Sequence, residues 1–173
     1  DGIIFPKVNE LKDVQKIKRE ILKMNFSSET EIWIMVETPK CVINLQSILE
    51  EFKGLSGIVL GTNDLAKELG LPKQENRLGL IHSLSSAVLI AKAFGVLCLD
   101  GVFNKIGDEQ GLSKELIEGK QLGYDGKTLI HPSQIGKTNQ IFSPSLEEIQ
   151  LAEKYIDAFE KKENEGKGVI TVD

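Results

Sequence analysis

Short apolar runs at residues 2–6, 32–36, 57–60, 96–99 and 127–130 punctuate a chain whose other segments set apolar against charged positions at helical spacing. None of the runs alternates cleanly with a period of two. Near-continuous apolar character is what a strand buried on both faces of a parallel sheet shows. Between the runs, residues 11–24 place Leu11, Val14, Ile17, Ile21 and Leu22 on one face and leave Asp13, Lys16, Lys18 and Arg19 to water. Residues 41–52 repeat the pattern with Val42, Leu45, Ile48, Leu49 and Phe52, and Gly54 suits the position just past a helix end. The spacing predicts further helices over 77–94, closing at Gly95, and over 114–122, closing at Gly123. A last one starts at the capping box Ser145-x-x-Glu148 and runs through Tyr155 and Phe159 to a polar tail.

The predicted order is βαβαβαβαβα, with strand starts about 25 to 40 residues apart, room enough each time for a right-handed crossover helix. Two architectures satisfy this: a doubly wound sheet or an arc of a β/α barrel. No internal repeat, low-complexity tract or linker calls for a second domain, so residues 1–173 read as part of one.

Composition narrows the partners. With 173 residues, 40% of them hydrophobic, the chain suffices for one ordinary core. A formal charge of −5 argues against a nucleic-acid surface, although a local cationic pocket for a carboxylate or phosphate remains open. The longest apolar stretches, 87–91 and 95–99, fall far short of the roughly 20 residues that span a bilayer, so a soluble protein with no membrane partner is expected. Cys41 and Cys98 have no metal-ligand spacing and read as small buried hydrophobes of a reducing compartment. The first residues open on a strand-like run with neither initiator Met nor signal peptide, as an excised piece would.

In parallel β/α folds, ligands meet the carboxyl ends of the strands, where the βα loops gather. Here those ends read Pro6-Lys7, Glu37-Thr38-Pro39, Gly61-Thr62-Asn63-Asp64, Asp100-Gly101 and His131-Pro132. Each has a bland account alone: Lys7 solvated, Asp64 complementing a helix dipole, Asp100 in a turn. The set is harder to dismiss. Glu37 and Asp64, from neighbouring strand ends, can share a hard cation and leave its other positions to water and substrate oxygens, as Mg²⁺ prefers, with Mn²⁺ as the alternative. The absence of clustered His or Cys disfavours zinc. A glycosidase acid and nucleophile would also use two carboxylates, but the chain is poor in the aromatic platforms that sugars favour. His131 reads as a structural or substrate-positioning residue ahead of a general base, and His82 as a structural residue in mid-helix. Gly54-Leu55-Ser56-Gly57 lacks the spacing of a nucleotide-binding loop.

At these residues the chain resembles the citrate lyase β-subunit-like branch of the HpcH/HpaI aldolases, which includes malyl-CoA and citramalyl-CoA lyases. Residues 1–8 (DGIIFPKV) resemble one strand of that family. Ile34-Met-Val-Glu-Thr-Pro39 with Asn44 resembles its metal-binding segment, and residues 61–70 (GTNDLAKELG) its second ligand loop. Asp100-Gly-Val-Phe103, residues 126–132 (GKTLIHP), Phe142-Ser-Pro144 and Gly166-Lys-Gly168 follow in the family's order.

The resemblance implies a TIM-type (β/α)8 barrel of the phosphoenolpyruvate/pyruvate superfamily, here its C-terminal five or so β/α units, assembling into trimers or hexamers. It implies Mg²⁺ on Glu37 and Asp64, Asp100 near the substrate in an orienting role within the catalytic set, and Lys7, Gly61, Thr62, Asn63 and His131 on the substrate-binding side. The implied reaction is carbon–carbon cleavage of a 3-hydroxyacyl-CoA such as malyl-, citramalyl- or citryl-CoA into acetyl-CoA and a 2-oxo acid, or the reverse condensation. A pyruvate-dependent sugar-acid aldolase and a non-catalytic scaffold are the alternatives, and the Gly61-Thr-Asn-Asp64 loop favours the CoA branch. A cytoplasmic or mitochondrial-matrix enzyme is expected.

The family's barrel starts about three strands earlier, in a part that supplies a substrate-contacting arginine, and continues past the valine-rich end at 169–173 into a lid. An open arc exposes sheet edges and apolar lining. The chain is therefore expected to be a fragment of a longer product or to need a partner to complete its core. Cys41 replaces a residue that is usually glycine or alanine in the family.

Overall fold

In the computed structural model, residues 2–24, 29–72, 76–160 and 169 are described. The elements are β1 (Gly2–Phe5), α1 (Leu11–Met24), β2 (Glu31–Val36), α2 (Pro39–Glu51), β3 (Gly57–Leu60), α3 (Thr62–Glu68), α4 (Ile81–Phe94), β4 (Leu97–Asp100), α5 (Glu109–Leu122), β5 (Gly126–Lys127), α6 (Ile135–Phe142) and α7 (Leu146–Glu160). All strand pairs are parallel, and the sheet order is β1-β2-β3-β4-β5. A doubly wound sheet needs a reversal of strand order; here there is none, and α1, α2, α4 and α5 pack in succession as one helix layer. The open architecture therefore resolves to an arc of a barrel.

Strand register divides the sheet into two faces. Phe5 pairs with Ile34, Ile34 with Ile58, Ile58 with Cys98, and Asp100 with Lys127, so these share the face toward the helices. Ile34, Ile58 and Cys98 there meet Val14, Leu45, Ile48, Leu84, Ala87 and Ala91 in one fully buried core. Each buried aliphatic side chain contributes roughly 1.5–3 kcal/mol relative to exposure. On the other face Ile4 and Leu97 are 45% and 47% exposed, and Trp33 and Met35 are half-buried; this is the uncovered lining expected of an arc. Trp33 lies across Gly57, where a Cβ would fall 2.2 Å from its ring.

Several elements differ from expectation. The fifth strand is two residues rather than 127–130. Past Lys127 only Thr128 still reaches β4, and the Ile130 N–H turns to the Gln134 side chain. α5 begins at Glu109, earlier than predicted, because Asp108 caps it by accepting from the Gly111 N–H. Arg77 precedes α4 instead of starting it, separated by a 3₁₀ turn over Leu78–Leu80, and His82 is an exposed residue of the first turn of α4 rather than a mid-helix one. α6 was not expected, and α3 only as the helix whose dipole Asp64 would complement; both are too short to show a helical period. α2 closes at Phe52, with Gly54 lying two residues beyond. Gly95 and Gly123 close their helices in the left-handed conformation, and Ser145 and Glu148 form the reciprocal capping box.

Cys41 and Cys98 are fully buried. Burial, reinforced by Glu37, pushes the Cys41 thiol up to about 12, and burial raises that of Cys98 too. Asp1, Gly166 to Gly168 and residues 170–173 of the expected motifs lie outside the described residues.

Candidate metal and substrate site

Glu37 follows β2 and is 5% exposed. Its alternation with Trp33 and Met35 puts it on the uncovered face of the sheet rather than among the helices. Two backbone features fix its carboxylate. The Lys7 N–H donates to Oε1 at 2.7 Å, from a residue with φ +56°, the single non-glycine residue in the left-handed region among those described. Gly61, immediately after β3, packs against the Glu37 side chain so closely that a Cβ would stand 2.4 Å from the Glu37 Cβ and 3.2 Å from Oε2. Only glycine permits that approach.

Gly61 also opens α3, which carries Asp64, exposed, in its first turn. The fold thus seats Glu37 against the residue from which the helix bearing Asp64 starts. The next strand end repeats the device: a Cβ on Gly101 would fall 2.4 Å from the Thr62 Oγ1, so β4 closes directly on the base of α3. Glu37, Gly61, Thr62 and Gly101 form one packed row.

Among the described residues no group of three or more His, Cys, Asp or Glu gathers in metal-binding geometry. The carboxylates at this rim are Glu37, buried beside Gly61, and Asp64, exposed in the first turn of α3. That donor set suits a hard cation that keeps several positions for water and substrate, as Mg²⁺ does, and it does not suit a structural zinc site.

Asp100 sits differently. It is fully buried on the helix-facing side, where its Oδ2 would be 3.2 Å from a Cβ on Gly119 of α5. Arg77 Nη1 lies 2.7 Å from both of its oxygens, Lys127 Nζ donates to Oδ2 at 2.9 Å, and the Gly101 N–H donates to Oδ1 at 2.8 Å. Lys127, whose side chain has no exposed surface, also donates to Glu115 at 2.6 Å, and Arg77 reaches Glu118. Burial alone would lower the Arg77 pKa; Asp100, Glu115 and Glu118 outweigh it and raise the value. Two cations and three carboxylates therefore form an ion cluster, fully buried at Asp100 and Lys127, between β4, β5, α5 and the segment before α4. The structure does not bring Asp100 beside Glu37 and Asp64, because one step along an extended strand reverses the facing of a side chain.

His131 is exposed and caps the turn after β5, its Nδ1 accepting from the Ser133 N–H at 3.2 Å. Asn63 is exposed and exchanges amide hydrogen bonds with Asn104 at 3.1 and 2.8 Å. The Lys7 side chain is exposed. Sequence reasoning missed Arg77, Lys127, Glu115 and Glu118. The run at 96–99 is apolar at every position, so it carries no alternation to show that Asp100 faces the helices and demands cationic partners.

The family model described as HpcH/HpaI aldolase/citrate lyase matches residues 1–132. The chain is 42% identical over 173 residues to a (3S)-malyl-CoA thioesterase of Cereibacter sphaeroides, covering 100% of this chain and 58% of that protein. It is 30% identical over 182 residues to the mitochondrial citramalyl-CoA lyase of Homo sapiens, covering 98% of this chain and 54% of that one. A crystal structure of the protein CitE from Mycobacterium tuberculosis, in complex with magnesium, acetoacetate and coenzyme A, superimposes with a TM-score of 0.69 at 26% identity, covering 91% of this chain and 57% of that chain. The chain thus spans between half and two thirds of the length of the relatives it matches.

Proposed function

Because the chain belongs to the HpcH/HpaI aldolase/citrate lyase family, we propose that it carries the metal-holding part of a Mg²⁺-dependent carbon–carbon lyase. Its substrate would be a 3-hydroxyacyl-CoA of the malyl-, citramalyl- or citryl-CoA type, split into acetyl-CoA and a 2-oxo acid, or formed from them. The observation that carries this reading is the Glu37 carboxylate, held by a backbone N–H against the glycine that opens the helix bearing Asp64.

Glu37 and Asp64 would hold the cation, which when bound supplies Lewis-acid polarisation of the oxo-acid oxygens. The chain's own residues do the rest. Gly61 and Gly101, having no Cβ, let the strand ends close on Glu37 and Thr62, and so hold Glu37 beside the start of the helix that carries Asp64. Lys7, Asn63 and His131 present polar groups at the exposed rim for the carboxylate or the thioester arm. Asp100 would act from behind the sheet, anchoring the strand end that closes on Thr62.

A second reading is supported by the relative at 42% identity, which is named a thioesterase: hydrolysis of the same class of thioester, with no carbon–carbon bond broken. Incubating malyl-, citramalyl- and citryl-thioesters with the protein as its gene encodes it, with Mg²⁺, separates the two. Cleavage gives acetyl-CoA with glyoxylate, pyruvate or oxaloacetate, whereas hydrolysis gives free CoA and the hydroxy acid. Neither product set from any of the three would overturn both readings. The enzyme would work in the cytoplasm or mitochondrial matrix as a trimer or hexamer; no described helix is long and apolar enough to cross a membrane.

A further inference from the structure

Lys7 is the one described non-glycine residue in the left-handed region, and its side chain explains nothing about that backbone. Such a conformation persists only where its surroundings hold it, and it collects at functional sites. The surroundings here are specific. Past Lys7 the chain drops Val8 into the core, 1% exposed, and then meets a clamp at Asn9. The Thr38 hydroxyl donates to the Asn9 Oδ1, the Asn44 Nδ2 donates to the Asn9 carbonyl at 2.9 Å, and the Asp13 carboxylate accepts the Asn9 N–H at 2.9 Å. Thr38 also caps α2, accepting from the Cys41 N–H at 3.0 Å, so the clamp is tied to the start of the helix that follows Glu37.

Building on the metal reading above, we propose that Lys7 is a positioning residue acting through its backbone. The Asn9–Thr38–Asn44 clamp holds it left-handed so that its N–H fixes Glu37 Oε1 and leaves Oε2, on the Gly61 side, to the cation. Thr38 and Asn44, on either side of the start of α2, thereby hold the loop that orients the ligand rather than touching ligand or substrate. Partners that orient a metal ligand in this way commonly set its affinity by roughly 10- to 100-fold.

Calorimetric titration of Mg²⁺ alone into the protein as its gene encodes it tests this, with Lys7→Gly, Lys7→Val and Asn44→Ala beside wild type and thermal unfolding as the check on folding. Lys7→Gly and Lys7→Val both lose the ammonium, so a difference between them cannot come from that loss. Glycine takes a positive φ freely and valine resists it. Lys7→Gly should bind like wild type, Lys7→Val roughly 10- to 100-fold more weakly, and Asn44→Ala should also weaken binding. Equal weakening by Gly and Val would assign the effect to the ammonium and overturn the proposal, as would wild-type affinity in both. Should Lys7→Val fail to fold, Asn44→Ala decides: weakened binding supports the clamp and unchanged binding overturns it. Wild-type protein that takes up no Mg²⁺ would refute the metal reading itself and this inference with it.

Discussion

Glu37 and Asp100 both stand where a parallel strand delivers its last residues, yet they occupy opposite sides of the sheet and opposite chemical situations. Glu37 faces the uncovered side, where one oxygen is held by a backbone N–H and the other lies beside a glycine. Asp100 faces the helices, and its oxygens are taken by Arg77, Lys127 and the Gly101 N–H. Both Asp100 oxygens are engaged by fixed partners, whereas Glu37 is held through Oε1 by the Lys7 N–H. Position at a strand end is common to both carboxylates; the facing of the side chain is what separates them.

Breaking the Asp100 side should produce the largest change. Asp100→Ala takes from buried Lys127 and from Arg77 the carboxylate they share, leaving Glu115 and Glu118 to face them, and breaking a buried pair costs up to about 3–5 kcal/mol. Denaturant unfolding should show that loss, with near-normal Mg²⁺ affinity in the folded fraction. A stability within about 1 kcal/mol of wild type, the range of an exposed ion pair, would mean that the cluster does not anchor this strand end. On the Glu37 side, Gly61→Ala places a methyl 2.4 Å from the Glu37 Cβ. Overpacking of this kind costs about 1–3 kcal/mol, and because the clash moves a ligand, Mg²⁺ affinity should fall more than stability does. An alanine variant that binds Mg²⁺ normally would show that the close approach of β3 to Glu37 is incidental.

Much of the arc was legible from the chain: apolar runs marked the strands, helical spacing marked α1, and Gly95, Gly123 and the Ser145–Glu148 box marked helix ends. Glu37 and Asp64 were legible as rim residues for the same reason, since a charged residue after an apolar run stands out. What the chain could not display was which face each end presents, because apolar character on both sides of these strands erases the alternation that would reveal it. Asp100 therefore read as an equal of Glu37. Lys127 and Arg77 were hidden for a related reason: in sequence they look like solvated charges, and partners 12 to 41 residues away make burial tolerable. Nor could the backbone of Lys7 be read, because its left-handed turn is imposed by Asn9, Thr38 and Asn44 rather than by its own residue type.

If the Glu37 face, and not the Asp100 face, holds a divalent cation that recruits an oxo acid, then the two ligands should bind as a linked pair through Glu37 and Asp64. Isothermal titration of Mg²⁺ with pyruvate, glyoxylate or oxaloacetate into wild type, Glu37→Ala and Asp64→Ala, using the protein as its gene encodes it, tests this most directly. Wild type should bind an oxo acid only when Mg²⁺ is present, and both variants should lose that linked binding while unfolding close to the wild-type temperature. Metal-linked binding that survives in both variants would contradict the account.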